Sequence, residues 1–520
     1  MFEINKSLYF KPIKFNFKIP PELTGIKKKH KVIIVGAGPV GLTAALELKK
    51  YKISSIVLSK DNIINRGSRA ICISRQSMEI FKKIGVSDKI EKIGLGWTKG
   101  KSFYRGKKVF DLKMPDSPDE NFRPMTNLQQ SILEKILYKK TQKEKIEIRW
   151  CSEVVDVLKN KNSVILEVKT PKGYYTIESD YLIAADGAKS SIRDALGIKF
   201  KGESYTGNYL ISDIKIKINK PTERLAYFYP NANPNGTILM HKQPRNIWRI
   251  DYQLENGSDL STENNKKTVK KKIQEQLNYL KIKSNWQLDW WSVYQAHCLS
   301  IEKYVHNRII FAGDAAHLVP IFGVRGLNSG IADINNLVWR LSEIINFNKS
   351  ISLLKFFNIE RKQAIENIFT LAKKSTIFMT PPSKGYKLMQ QAVLSLSIRN
   401  KFSKPLINPR QSDADIYFYK KLNKLIPPQS RFKIGESLIN IRYKKEFLFD
   451  HLPNKFFILS FKKIPESFPL PSIDINNKVY GKYIYLVRPD RYIAGVWEKF
   501  SPKTIIDYYN YFSGEKIGQK

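Results

Sequence analysis

The chain has 520 residues, 42% of them apolar and 12% aromatic, which excludes a disordered or collagen-like chain and leaves room for two or three domains. Eighty-nine Lys and Arg against 47 Asp and Glu give a formal charge of +42. Lysine is spread evenly over strand-like and loop-like stretches and no nucleic-acid-binding motif accompanies it, so specific nucleic-acid recognition is not expected.

Residues 1–29 read as an irregular extension. "KVIIVGAGPVGLTAALELKK" follows from Lys31. Val32 to Val35 is a short buried-strand pattern. Gly36, Gly38 and Gly41 then stand at G-x-G-x-x-G spacing, with Pro39 between them, before a helix-forming run from Leu42 to Leu48. A second strand pattern, "SSIVLS", begins at Ser54. In such a unit the first glycine permits the tight turn and the second lets a pyrophosphate approach the backbone. The third lets helix and strand pack closely, and the helix N-terminus offers free N–H groups to the phosphates. The acidic residue that usually ends the second strand and grips a ribose is absent. Ser59 stands there, with Asp61 two residues on as a substitute.

Arg69 precedes an amphipathic run with Met78, Ile80, Phe81 and Ile84. It reads equally as a surface arginine or as a phosphate or flavin contact. Residues 96–123 are loop-like and basic. "NLQQSILEKIL" (127–137) predicts a helix with Gln130 and Glu134 one turn apart. Strand patterns follow at 153–157 and 163–169, and a third, Tyr181 to Ala185, ends in Asp186-Gly187 before Ser190, Ser191 and Arg193 enter a helix.

From 200 to 299 the period changes to two. Ile214, Ile216 and Ile218 alternate with polar residues, as do Trp248, Ile250, Tyr252 and Leu254 with Arg249, Asp251 and Gln253. This predicts half-buried antiparallel strands, a β-rich insert of which one face covers something. A short strand at 309–312 then ends in Gly313-Asp314. A glycine-rich stretch leads past Gly326 and Leu327 to a helix expected to start near Asn328-Ser329, with a stripe of Ile331, Ile334, Val338, Leu341 and Ile345. Helix is expected to about residue 397, a linker over 398–430, and a smaller α/β region beyond it.

Cys72, Cys151 and Cys298 form no C-x-x-C pair, and an odd number argues against a disulfide framework. The six histidines do not cluster at metal-ligand spacing, so no metal is expected. No signal-peptide core or membrane-spanning run is present, which predicts a cytoplasmic protein.

Gly36-x-Gly38, Asp186-Gly187 and Gly313-Asp314, each at a strand end, together resemble the flavoprotein aromatic hydroxylases of the para-hydroxybenzoate hydroxylase family. The nearest branch is that of phenol hydroxylase and 3-(3-hydroxyphenyl)propionate hydroxylase. The resemblance covers roughly 31–400 by ordered motifs, and the C-terminal region more weakly. It implies an α/β (α+β overall) fold with a Rossmann-like FAD-binding domain, an inserted β-rich substrate domain and a C-terminal thioredoxin-like domain. The implied boundaries are 30–400 for the monooxygenase region and 410–520 for the thioredoxin-like domain. FAD would be bound by segments 30–95, 124–198 and 300–400, and the substrate covered by 96–123 and 199–299. Lacking C-x-x-C, the C-terminal domain is expected to serve packing or homodimer formation.

The resemblance further implies that Gly36, Gly38, Pro39 and Gly41 hold the FAD pyrophosphate. Ser59 would take the ribose position, and Arg69 and Gln130 would contact the cofactor. Asp186-Gly187 is associated with both FAD and NAD(P)H, and Gly313-Asp314 with the ribityl chain. Gly326, Leu327 and Asn328, at a helix start, would stabilise reduced flavin, with Pro320, Arg325 and Asn328 as the flavin's catalytic surroundings. The implied reaction uses NADPH or NADH and O₂, and hydroxylates a phenolic or other electron-rich substrate through a flavin C4a-hydroperoxide. The family pattern P-P-x-G-G-Q-G-M-N reads P-I-F-G-V-R-G-L-N here (320–328), so Ile321, Val324 and Arg325 depart from it. Two alternatives remain open: a Baeyer–Villiger or polyketide-tailoring oxygenase on the same fold, and a decayed, non-catalytic flavoprotein.

Overall fold

The structure, a computed structural model, describes residues 7–64, 70–255, 257–320, 323–408 and 414–514. Its central feature is a parallel sheet of buried aliphatic strands. Lys29–Val35 lies at the middle, with Gly173–Ala184 on one side and Ser55–Leu58 on the other. Ile309–Phe311 pairs in parallel with the end of Gly173–Ala184, and Glu147–Arg149 with Ser55–Leu58. Register aligns the strand ends: Val35 is opposite Ala184, and Ala184 opposite Phe311. The three motifs, far apart in sequence, therefore leave the sheet side by side at its carboxyl edge, where open α/β sheets bind ligands.

The β-rich insert is an antiparallel sheet with one parallel pairing, ordered from His317–Leu318 through Trp286–Ser300, Lys201–Ile216, Ile247–Gln253, Thr237–Gln243 and Arg224–Phe228 to Lys99–Tyr104 and Lys107–Lys113. The alternation expected from sequence is present. One face, with Leu225, Met240, Trp248 and Ile250, is sealed by Val269, Ile273 and Leu277 of the helix Lys266–Tyr279. The polar face looks the other way. Residues 96–123, loop-like in local pattern but implied by the resemblance to belong to the β-rich cover, contribute a hairpin to this sheet. Their alternation is broken by a bulge between Ser102 and Phe103, which hides it from a period-two reading.

Three helices follow the Gly313 turn: Gly326–Phe347, Leu353–Met379 and Lys384–Leu396. The first starts two residues before the expected Asn328, with Arg325 at its N-cap. The C-terminal region is a small mixed sheet, Phe457–Ser460, Ser472–Asp474, Ile484–Val487 and Ile493–Trp497, closed by the helix Pro502–Ser513.

A buried ionic network fastens that region to the rest. Glu360 accepts from Arg488 Nη1 at 2.7 Å and Nη2 at 3.0 Å, and pairs with Arg340 at 2.9 Å. Arg488 also binds Asp490, whose Oδ2 accepts from Trp339 Nε1 at 3.0 Å. Burial pushes the Glu360 carboxyl up, but Arg340 and Arg488 outweigh it and hold the group at about 2. Its stabilisation is therefore complete above the ordinary carboxylate range and lost as pH falls toward 2. Glu360→Gln should destabilise the protein by about 3–5 kcal/mol near neutral pH, because it strands buried guanidinium groups. Urea denaturation followed by tryptophan fluorescence at pH 7, pH 4 and pH 2.5 should show the gap between wild type and variant narrowing slightly at pH 4 and largely closing only as pH approaches 2. An unchanged gap would mean the network does not set this stability.

Candidate functional site

A continuous cleft of about 1560 Å³ runs along the carboxyl edge of the parallel sheet and under the polar face of the second sheet. An ordinary small-molecule site has about 300–1000 Å³, so a dinucleotide and a substrate fit together here.

At one end the glycine turn is dictated by space. Gly36 has φ 109°, and a Cβ there would lie 2.3 Å from Ala185 O. A Cβ on Gly41 would lie 1.9 Å from Gly36 O, so this residue serves the packing of helix on strand and does not line the cleft. Gly38 differs from both. Nothing lies within 4 Å of its Cβ position, which opens toward the cleft. The helix Pro39–Lys50 starts immediately after, with Pro39 in its first turn. This arrangement of open backbone and helix N-terminus suits a pyrophosphate. Ser59 is buried in the cleft wall with Lys60 and Asp61 beside it. Arg69 lies outside the described residues.

Gln130 opens the helix Gln130–Lys143 and lines the cleft. Its Nε2 donates to Glu134 at 2.8 Å, and its Oε1 accepts from Ala70 N at 3.2 Å. Asp186 follows the second strand end. Its Oδ2 accepts from Ile192 N at 3.2 Å, while its buried Oδ1 has no partner among the described residues. Burial pushes this carboxyl up. Gly187 beside it has φ 84° and open space at its Cβ position. An orphaned carboxylate oxygen at the cleft wall is what a ligand hydroxyl or amide would satisfy.

At the third strand end Asp314 projects into the cleft from the turn Gly313–Ala315. Gly313, φ 62°, donates its N–H to Asp333 Oδ2 at 2.9 Å and stays behind the wall. Pro320, Val324, Arg325, Gly326 and Leu327 continue the lining, and Arg325 is only 5% exposed. Its guanidinium is therefore part of the cleft wall rather than the protein surface. Ile321 lies outside the described residues. Val324 takes φ 54°, left-handed backbone that a β-branched residue rarely adopts. Asn328 does not line the cleft. Its Oδ1 accepts from Ser74 N at 2.9 Å and Ser77 Oγ at 2.8 Å, and its Nδ2 donates to Val324 O at 2.6 Å. All of this fixes the helix start, so Asn328 reaches a ligand only through the backbone it holds.

Two groups of lining residues were not legible from the chain. The first comes from the extension read as irregular. Ser7, Tyr9, Phe10 and Pro12 form one wall of the cleft. They are tied down at Asp289, which accepts from Leu8 N and Ser7 Oγ, and at Arg245, which donates to Tyr9 O at 2.6 Å. Phe15 stacks on Trp150 at 3.9 Å, and Phe15 N donates to Asn62 O at 2.8 Å, just beyond Asp61. The second group is the polar face of the insert: Arg224, His241, Arg249, Asp251 and Trp290. Arg224 is opposite His241, His241 opposite Arg249, Arg249 opposite Asp213, and Asp213 opposite Trp290, so these form one row across four strand pairings. Alternation identifies the two faces of a strand but not which of them looks at a ligand.

The family described as "FAD binding domain" matches residues 29–372. Among characterised relatives, the 3-(3-hydroxy-phenyl)propionate/3-hydroxycinnamic acid hydroxylase of Burkholderia cenocepacia (strain HI2424) is 24% identical over 374 residues. The match spans 71% of this chain and 68% of that protein. The para-nitrophenol 4-monooxygenase of Pseudomonas sp. (strain WBC-3) is 24% identical over 340 residues, 64% of this chain and 82% of that one. Of solved structures, the flavin-dependent monooxygenase PieE with FAD and substrate superimposes with a TM-score of 0.78 at 18% identity, over 94% of this chain and 99% of that one. Aklavinone-11 hydroxylase with FAD and aklavinone gives 0.75 at 17%, over 94% and 100%. The fold is thus that of these enzymes, and with two thirds of its length matched, this chain belongs to the FAD-binding-domain family as an FAD-dependent monooxygenase of the aromatic hydroxylase kind.

Proposed function

We propose that this protein hydroxylates a phenolic ring that carries an anionic group, with Arg224 as the anchor for that group. The observation that carries the reading is the state of Arg224. It is buried in the cleft wall, yet its guanidinium has no hydrogen bond or ion pair among the described residues. Burial lowers its pKa to about 10, against the pull of Tyr209 and Asp251, and it stays cationic at neutral pH. An unpaired guanidinium in a partly dry cavity is costly, and an anionic ligand offsets that cost. The other cation of the row is already engaged: Arg249 makes two 2.8 Å hydrogen bonds to Asp213. Burial, with Arg224 and Arg249 adding to it, lowers His241 to about 3, so it stands as a neutral donor or acceptor. The carboxylate of the propionate in the name of the Burkholderia relative has the chemistry this wall suits.

Bound along the cleft, FAD would take hydride from NAD(P)H and activate O₂ for transfer to the ring. The chain's own part is to hold and enclose. The N-termini of Pro39–Lys50 and Gly326–Phe347 would face the pyrophosphate and the flavin ring, and Asp314 the ribityl hydroxyls. The extension 7–15 and the second sheet would keep water from the reacting atoms.

Asp251 sets the pH dependence. Burial raises its pKa to about 7; Arg249 and Arg224 pull it down, and Asp213 pushes it up. Below about 7 it is neutral and Arg224 is left for the substrate; above, it is an anion competing for the same cation. KM for a carboxylated phenol should therefore rise as pH passes through 7, and Asp251→Asn should flatten that rise. Arg224→Gln should raise KM by about 10- to 100-fold, the range expected for one hydrogen bond to a charged group. A neutral phenol should respond to none of this. Steady-state kinetics with both substrates, and mass spectrometry of the products, test the reading. Equal response of the two phenols removes the anchor, and ring insertion without hydroxylation would favour the Baeyer–Villiger alternative.

Cofactor retention separates the two aspartates of the groove. Asp314→Ala should weaken FAD binding by about 1–3 kcal/mol, the cost of a lost buried hydrogen bond. Asp61→Ala should cost less, because Asp61 is exposed beside the Ser59 position. Flavin dissociation constants of equal size for both variants would contradict the assignment.

Arg325, held in the wall at the helix start, should favour the reduced, anionic flavin by Coulomb attraction. Arg325→Gln should lower the two-electron potential by tens of millivolts, about 30 mV corresponding to roughly 1.4 kcal/mol. Redox titration against a reference dye measures it, and an unchanged potential would assign the arginine to another task.

A further inference from the structure

The helix Lys384–Leu396 and the turn after it have a face that oxygenation does not use. The inward side of this segment is ordinary core. Leu394, with Met379 before the helix and Ile407 after it, packs against Tyr209, Phe228 and Leu239 at one end of the substrate sheet. Gln390 is buried beside them and donates to Phe378 O at 2.5 Å. The outward side is apolar as well. Leu388 is 69% exposed and Phe402 74%, with Met389, Leu396 and Leu406 also open to solvent. Leu388 and Leu396 lie on one helical stripe with the small Ala392 between them at four-residue spacing, and Met389 lies beside it. Single exposed leucines need no explanation, but five large exposed apolar side chains within nineteen residues, Leu388, Met389, Leu396, Phe402 and Leu406, mark an interaction surface.

The charge around the stripe identifies the partner. Residues 367–412 contain eight Lys or Arg and not one Asp or Glu. Lys384, Lys387, Arg399, Lys401 and Lys404 flank the stripe, and none of them pairs with a carboxylate among the described residues. A second copy of this chain would bring the same cations against one another across a symmetric contact. A nucleic acid would leave the apolar stripe without a purpose. An anionic bilayer satisfies both features: the apolar side chains enter the boundary between headgroups and acyl chains, and the cations meet lipid phosphates. No helix among the described residues is long and apolar enough to cross a membrane, so the contact lies on the surface.

We infer that the protein docks on anionic membrane surfaces through the face formed by Lys384–Leu396 and residues 397–406. Docking there sets one end of the substrate sheet against the bilayer, because the same helix packs on Tyr209 and Phe228.

The test is cosedimentation of the full-length, flavin-loaded protein with vesicles. One set is phosphatidylcholine with 30% phosphatidylglycerol, the other phosphatidylcholine alone, both at 0.1 M salt. The wild type should pellet with the anionic vesicles and remain in solution with the neutral ones. Leu388→Ser combined with Phe402→Ser changes no charge, and should lower partitioning at least tenfold while flavin content and melting temperature stay as in wild type. Lys401→Glu combined with Lys404→Glu should do the same by the electrostatic route, and stands in should the first variant fold poorly. Three results would overturn the proposal. One is equal partitioning of wild type and Leu388→Ser/Phe402→Ser, which would mean adsorption by overall charge. Another is no binding to anionic vesicles. The last is a concentration-dependent dimer in sedimentation without vesicles that the apolar variant abolishes, which would assign the stripe to a second copy.

Discussion

One buried carboxylate holds three parts of the molecule in register. Asp333 accepts the N–H of Gly313 at 2.9 Å and pairs with His317 Nε2 at 2.8 Å through the same oxygen, while its other oxygen takes Arg361 Nε at 2.6 Å. Burial pushes this carboxyl up, but His317 and Arg361 prevail and hold it below the usual range. Arg361 reaches on to Asp415, in the C-terminal region. The turn that presents Asp314 to the cleft is thus pinned from behind by the same group that anchors the helix Gly326–Phe347. Among the described residues the C-terminal region supplies no lining residue of the cleft, and Asp415 joins it to this chain of charges.

Close backbone contact is the second constraint. A Cβ on Gly330 would lie 2.7 Å from Val40 Cγ2 and 3.1 Å from Gly313 Cα, so the two helices whose N-termini face the cleft can meet only at glycine. Where the resemblance implied another glycine, this chain places Val324 at φ 54°. Backbone strain of that kind costs of order 1–3 kcal/mol and persists only when neighbours over-determine it. Here Asn328 holds the Val324 carbonyl while Ser74 and Ser77 hold Asn328. The strained residue and the buried Arg325 sit together at the helix entry.

Enclosure comes from elements without motifs. The chain before the first strand crosses the cleft from Asn62 to Asp289, and the antiparallel sheet roofs it with a charged row. An oxygenation site must exclude water, yet this roof carries two guanidinium groups and two carboxylates. Pairing resolves half of that tension at Arg249 and Asp213; the guanidinium of Arg224 is the part on which the proposed substrate anchor rests.

The glycine turn, the Asp-Gly and Gly-Asp strand ends and the period-two insert were legible in the chain because each is a local necessity. A backbone that must turn at φ 109° against Ala185 O needs glycine whatever surrounds it. A half-buried strand must alternate. The hairpin at 99–113 was hidden by its bulge, and Asn328, a good capping residue, turned out to hold a turn instead of starting a helix. The extension at 7–15, the row from Arg224 to Trp290 and the isolation of Arg224 could not be read at all. They depend on which residues from distant strands come to lie opposite one another, and on which carboxylates come within reach. Local sequence determined the glycine turn and the strand ends that border the cleft; only the tertiary arrangement decided what faces them, because burial and pairing of charge are properties of neighbours, not of the residue itself.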